Sequence, residues 1–247
     1  MQTVQKVEQV KHLPLKFGEI ARYVIVPGDP NRVPLIADSL DNPVHQGQNR
    51  EFNAYKGTYK GIDVSVVSTG IGCPSTAIAV EELSYLGAEV FIRIGTSGSV
   101  DKTAKKGDIF IATAAVRDDG TSKQYMPIEF PALASHDVVG NLIQASKDLG
   151  IDTKVGICQS KDSFFGETEP ERMPVAPYLD YKWSSWKKGG VGASEMEAAT
   201  LFTLSHIKKI RAGAILAIET SDKEIVQDMT KIVLESITYM EGNKNVE

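Results

Sequence analysis

The run Phe91-Ile92-Arg93-Ile94-Gly95-Thr96-Ser97-Gly98 places one arginine inside an apolar, β-branched stretch and follows it with glycines and hydroxyls. Val90 to Ile94 reads as a strand covered on both faces, because such strands appear as near-continuous apolar runs, and the glycines read as a closing turn. A guanidinium there is costly to bury without an anionic partner. Strand ends are also where α/β proteins place ligands. Thr96, Ser97 and the bare backbone at Gly98 would add hydrogen-bond donors. At this level a bound anion and a structural carboxylate satisfy Arg93 equally well.

A second strand-to-turn junction, Val26-Pro27-Gly28-Asp29-Pro30-Asn31-Arg32-Val33, offers Gly28 for close backbone approach and Arg32 one helical turn inside the next segment. Amides at a helix start with a nearby guanidinium cradle anions. Arg50, in Asn49-Arg50-Glu51-Phe52, is a third candidate cation, with a carboxylate beside it that could neutralise it. Ser68-Thr69-Gly70-Ile71-Gly72-Cys73-Pro74-Ser75 runs from a strand into a helix with Ser75 as N-cap. It is not a dinucleotide fingerprint, because the third glycine and the following acidic residue are missing. Ser194-Glu195-Met196-Glu197 opens a further helical run. Its carboxylates suit either the positive end of a helix dipole or a pair of vicinal hydroxyls such as those of a ribose, with Met196 under the sugar. His12, His45, His136 and His206 show no metal-ligand spacing, and HExxH, Walker and G-x-S-x-G motifs are absent.

The elements that must hold these residues follow from apolar patterning. Strands are expected at Tyr23–Val26, Val64–Ser68, Val90–Ile94, Ile109–Ala115, Thr153–Cys158 and Ala214–Ile218. Helices are expected at Ser75–Leu86, Ser135–Leu149, Glu195–Ile207 and from about Glu224 to Met240. This alternation predicts a single α/β domain over residues 1–247, with a central mixed sheet flanked by helices. Residues 42–63 read as a hairpin. Residues 162–192, with Trp183 and Trp186, read as a long irregular excursion.

The 247 residues include 27 basic and 32 acidic side chains, for a net charge of −5. That argues against nucleic acid as the main partner. Cys73 and Cys158 are too few for a disulfide framework or a metal site. The amino terminus has no apolar core of a leader, and no apolar run reaches the ~18 residues that span a membrane. A cytoplasmic protein without membrane contact is the expectation.

Taken in order, the motifs V-P-G-D-P-x-R-V (Val26–Val33), R-E-F (Arg50–Phe52), S-T-G-I-G-x-P-S (Ser68–Ser75), E-E-L (Glu81–Leu83), F-I-R-I-G-T-x-G (Phe91–Gly98), E-F-P-A (Glu129–Ala132), K-D-S-F-F-G and E-P-E-R-M-P (between Lys161 and Pro174) and S-E-M-E (Ser194–Glu197) resemble the hexameric nucleoside phosphorylases, most closely the uridine phosphorylases. The resemblance spans about His12 to Met240. It implies reversible phosphorolysis of a nucleoside to free base and ribose 1-phosphate, with inorganic phosphate as co-substrate and no organic cofactor. It puts phosphate on Gly28, Arg32, Arg93 and Thr96, with Arg50 from a neighbouring subunit. Ribose falls to Glu195, Met196 and Glu197, with His12 reaching across the interface. The base falls to Thr96, Ser97, Gly98, Phe164, Glu167 and Arg172. Arg93, Arg172 and Asp222 are the implied catalytic groups. A dimer as catalytic unit, assembled as a trimer of dimers, and a monovalent cation such as K+ at Glu51, Ile71 and Ser75 are also implied.

Two positions depart from the uridine pattern. Glu167 stands where a glutamine reads the uracil edge, and an ionised carboxylate only accepts hydrogen bonds. It would be a poor substitute unless protonated or paired with Arg172. Ser221-Asp222, after the expected strand Ala214–Ile218, resembles the purine enzymes, where the aspartate protonates the purine; helix N-cap and solvated loop residue are equal readings of Asp222. The run from Lys161 to Ser194 follows the uridine subfamily, so uridine is the expected substrate. A purine nucleoside or broad specificity is the alternative, and a non-catalytic nucleoside binder a third.

Overall fold

The computed structural model describes residues 9–101 and 103–242; the first eight residues of the stretch read for a leader lie outside them. Strands in chain order are β1 (Tyr23–Ile25), β2 (Asp41–Asn49), β3 (Phe52–Tyr59), β4 (Ile62–Val67), β5 (Val90–Ser99), β6 (Ile109–Asp118), β7 (Ala132–Leu133), β8 (Thr153–Lys161), β9 (Val191–Glu195) and β10 (Arg211–Ile218). The helices are α1 (Arg32–Ala37), α2 (Cys73–Leu86), α3 (Thr121–Tyr125), α4 (His136–Asp148), α5 (Phe164–Thr168), α6 (Ala176–Lys188), α7 (Ala198–Lys208) and α8 (Lys223–Gly242).

The ten strands among the described residues belong to one mixed sheet, in agreement with the α/β expectation. From β2 it runs through β3, β4, β1, β5, β10, β6 and β8 to β9, with β7 pairing against β6. β9 then returns to the far end of β5, pairing Ser194 with Gly98 and Ala193 with Ser99. Five strands (β5, β10, β6, β8, β9) therefore close on themselves, and this closure brings Ser194–Glu197 alongside the end of β5. Gly192 permits it: a Cβ there would lie 2.5 Å from the Phe110 ring on β6.

Side chains alternate across each strand. Val24 and Phe91 face a layer built with α2 and α7, whereas Tyr23, Ile25 and Ile92 face one built with α1, α4 and α8. Residues such as Phe91, Phe202 and Ile92 are buried in these layers. No helix among the described residues is long and apolar enough to cross a membrane.

Several boundaries differ from the expectations. β5 does not end in a turn at Gly95 but continues to Ser99, because Ile215 to Ile218 of β10 pair with it as far as Ser97 and β9 pairs Gly98 and Ser99. Arg32 is the first residue of α1, not one turn inside it. α2 starts at Cys73 with Gly72 as N-cap, so Ser75 lies inside the first turn. The stretch expected to begin a helix at Glu195 is instead strand β9, and α7 begins at Ala198. Residues 162–192 are not irregular: they hold α5, a 3-10 turn (Pro170–Arg172) and the 13-residue α6, which carries both tryptophans. The hairpin expected over residues 42–63 is present as β2 and β3 leading into β4.

Gly192→Ala should lower stability by about 1–3 kcal/mol through overpacking against Phe110. Urea denaturation checks this, and an unchanged midpoint would mean that the strand closure is not tightly packed.

Candidate active site

Arg93 lies on β5 opposite Ala214 of β10 and is only 4 % exposed. Its guanidinium folds along the strand over Gly95, where a Cβ would fall 2.9 Å from Nη2 and 3.0 Å from Cζ. Any larger residue at 95 would displace it. Nε donates to Glu195 Oε2 at 3.0 Å and Nη2 to Glu197 Oε2. Burial alone would lower the Arg93 pKa, but Glu197 and Glu195 hold it above the ordinary value. Both readings of Arg93 left open by the sequence thus bear on it. Structural carboxylates take two of its nitrogens, while Nη1 is buried and takes no partner among the described residues. That nitrogen faces Gly28, whose hypothetical Cβ would lie 3.6 Å from it and 3.2 Å from the Gly70 carbonyl. Arg32 is half-buried nearby. Burial pushes its guanidinium down from the ordinary value and the Arg93 charge adds to this, with Asp29 and Glu197 opposing.

The two carboxylates occupy different positions in the chain and do different work. Glu195, the last residue of β9, also accepts from Ser160 and from the amides of Glu197 (2.9 Å) and Ala198 (3.0 Å), so it satisfies the start of α7 while tethering Arg93. Its oxygens are fully engaged within the chain. Glu197, the N-cap residue of α7, accepts from the Gly72 amide at 2.6 Å. Burial pushes its carboxyl up, against the pull of Arg93. Met196 between them is half-buried.

A second cluster sits at the β2–β3 hairpin tip. Arg50 is exposed there with φ +52°. Asn49 Nδ2 donates to the His12 carbonyl at 2.7 Å, which ties the amino-terminal segment to the tip. His12 Nδ1 lies 2.6 Å from Glu82 Oε1. Glu51 Oε1 accepts from Ser75 Oγ at 2.7 Å, and this hydrogen bond holds the Glu51 carboxyl below its ordinary range. Gly70, at φ +73°, leaves room for that contact, since a Cβ there would fall 2.6 Å from Glu51 Cγ. Ile71, beside them, is 79 % exposed.

The third group lies where β5 ends. Thr96 is half-buried and Ser97 buried. Glu167, on α5, reaches over Gly98 with Oε1 about a van der Waals contact (3.5 Å) from where a Cβ would stand. Its ion-pair partner is not Arg172 but Lys161, 2.9 Å away. Arg172 is exposed, pairs with Glu169 and lies over the Phe165 ring. Phe164 is exposed and stacks edge-on against Phe165. Asp222 is exposed immediately before α8, its amide donating to Thr220 Oγ1 at 3.1 Å. The fold thus gathers Gly28, Arg32, Arg93, Glu195 and Glu197. Arg50 with His12 sits at the hairpin edge, and Arg172 and Asp222 lie at the surface.

A buried guanidinium aimed at bare backbone, with a second beside it and carboxylates behind, can hold a multiply charged oxyanion next to a polyhydroxyl ligand. The model of the phosphorylase superfamily matches residues 22–238. The chain belongs to this superfamily. It is 45 % identical over 218 residues to a uridine phosphorylase of Treponema pallidum, covering 88 % of this chain and 84 % of that one. It is 44 % identical over 209 residues to a uridine phosphorylase of Thermococcus kodakarensis (84 % and 76 %). A guanosine phosphorylase of Halorubrum lacusprofundi is 41 % identical over 208 residues (84 % and 82 %).

Two residues that touch these side chains, Gly95 and Lys161, do not stand out in the sequence. Gly95 looked like a turn glycine, although its position two residues after a strand arginine places it on the same face. Lys161 heads the K-D-S-F-F-G motif, within which the family resemblance assigns a role only to Phe164. Gly95→Ala should weaken phosphate binding at least ~10-fold, the worth of one charged hydrogen bond, with a smaller effect on folding. Titration calorimetry with phosphate tests this, and unchanged affinity would show that Arg93 does not need that seat.

Proposed function

We propose that this phosphorylase cleaves uridine reversibly with inorganic phosphate, giving uracil and ribose 1-phosphate. The observation that carries the reading is the buried Arg93 Nη1, unpartnered and turned toward Gly28 with Arg32 alongside. An orphaned guanidinium N–H in so buried a place is costly unless a ligand supplies the acceptor. The uridine phosphorylases at 44–45 % identity support the choice of base.

In this reading Gly28, Arg32, Arg93 and Thr96 hold phosphate beneath the sugar C1′, converting a bimolecular attack into a positioned one. Glu197 accepts from the ribose hydroxyls over Met196, while Glu195 keeps Arg93 and the start of α7 in place. As the glycosidic bond breaks, positive charge develops on the sugar and the phosphate anion stabilises it. Phe164, Ser97, Gly98 and Glu167 flank the base. Arg172 answers the charge of a departing pyrimidine, and Asp222 would serve as acid toward a purine.

Within one chain two guanidiniums face two carboxylates, so a phosphate dianion needs a further cation. Arg50, exposed at a hairpin tip tied to His12, suits delivery into a second copy's site. A dimer as catalytic unit, in a trimer of dimers, follows as part of the proposal, with exposed Ile71 covered at the interface and a monovalent cation such as K+ held by Glu51, Ser75 and the Ile71 carbonyl. A single domain over residues 1–247 and a cytoplasmic location complete the reading.

A 6-oxopurine nucleoside is the second reading, favoured by the carboxylate of Glu167 and by the guanosine phosphorylase relative. Uridine, thymidine, inosine and adenosine, each assayed with and without phosphate, should show phosphate-dependent base release fastest from uridine. Arg93→Ala should cut kcat/KM for phosphate at least ~100-fold, close to 3 kcal/mol. Base release that is equally fast without phosphate would overturn the reading, and faster cleavage of inosine would move it to the purine class.

A further inference from the structure

Glu167 has one oxygen committed and one free. Oε2 receives Lys161 Nζ at 2.9 Å and lies 2.5 Å from Ser194 Oγ. Oε1 is the atom turned toward Gly98 and accepts no hydrogen bond among the described residues. Lys161 is 7 % exposed, and its ammonium also donates to Ser194 Oγ at 2.7 Å. Ser194 Oγ has a single hydrogen for two acceptors, Glu167 Oε2 and Gln159 Oε1 at 2.6 Å. Gln159 in turn donates to Asp118 at 2.9 Å, and Asp118 pairs with Lys182 of α6. The chain of contacts anchors the carboxylate from below and behind.

A nearly buried ammonium that lost Glu167 would be left uncompensated, and a carboxylate beside Ser194 and Gln159 Oε1 without the ammonium would lose its charge partner. The pair therefore holds together. An amide at position 167 could turn either its oxygen or its NH2 toward the base, whereas a carboxylate held by a lysine offers only an acceptor.

We propose that Lys161 is a specificity-determining positioning residue: it clamps Glu167 so that Oε1 accepts a ring N–H of the base across Gly98 and repels a ring nitrogen that presents a lone pair. The substrate class is then nucleosides of imide or lactam bases, with uracil-type N3–H or 6-oxopurine N1–H, against cytosine- and adenine-type bases. This rests on the phosphorolysis reading for its turnover assay and unites its two alternatives, since uracil and guanine share the N–H that cytosine and adenine lack.

The test compares wild type, Lys161→Met, Lys161→Arg and Glu167→Gln in kcat/KM for uridine against cytidine and for inosine against adenosine, with the KM for phosphate measured alongside. Wild type should favour the N–H substrates at least ~100-fold, as a site built around a hydrogen bond does. Lys161→Met and Glu167→Gln should each reduce that ratio at least ~10-fold with the phosphate KM little changed, and Lys161→Arg should restore most of it. A Lys161→Met protein with wild-type ratios overturns the proposal; so, should that variant not fold, does a Glu167→Gln protein with wild-type ratios. Calorimetric binding of free uracil and cytosine repeats the comparison without turnover. Uracil selectivity that needs Lys161, in an enzyme without phosphate-dependent cleavage, supports the Lys161 assignment and overturns phosphorolysis, whereas equal binding of the two bases overturns the assignment.

Discussion

One guanidinium held between two carboxylates, with a nitrogen to spare, is the interaction on which this molecule depends. Arg93 sits in a layer of apolar side chains where an unpaired charge would not be tolerated. Glu195 and Glu197 make its burial tolerable and also fix its direction, leaving Nη1 toward Gly28. The same two carboxylates organise their surroundings: Glu195 satisfies the first amides of α7, and Glu197 ties the Gly72 turn to that helix. The Arg93 charge and the scaffold that positions it are therefore one network, held in place before any ligand arrives.

Sheet closure makes that network possible. Arg93 and Glu195 are about a hundred residues apart, and they meet because β9 turns back to pair with the end of β5. Glycines at 95 and 192 supply the space, one for the folded guanidinium and one for the passage of β9 over Phe110. In both cases the glycine is needed because another group occupies the Cβ position, with no unusual backbone angle involved.

Much of the frame was legible in the chain. The strands read from residues 23, 64, 90, 109, 153 and 214 are legible as apolar runs, although Val155 and Ile157 are exposed in the structure; α4 and α8 show an apolar stripe, while α7 is buried all round. Local pattern misled where a distant partner decided the outcome. β5 runs past its glycines because β10 continues beside Gly95 and β9 pairs Gly98. Ser-Glu-Met-Glu ends a strand before it begins a helix, because β8 and β5 both pair with β9. The stretch from 162 to 192 folds into helices although proline, glycine and aromatics dominate its signal.

The linear order of motifs pointed to the kind of site: an arginine inside an apolar run, another after a Gly-Asp-Pro turn, carboxylates before a helix, and a family resemblance carried by all of them together. Residue type supplies the ionisable and hydrogen-bonding groups, and the fold then adjusts them: burial pushes the Glu197 carboxyl up and the Arg32 guanidinium down. Which cation meets which anion belongs to the tertiary structure. Only there does Arg93 keep one nitrogen unspent, Glu167 pair with Lys161 and leave Arg172 to Glu169, and Arg50 stand at an exposed edge. Ion pairs act over a few ångströms of space, and chain separation does not encode that distance.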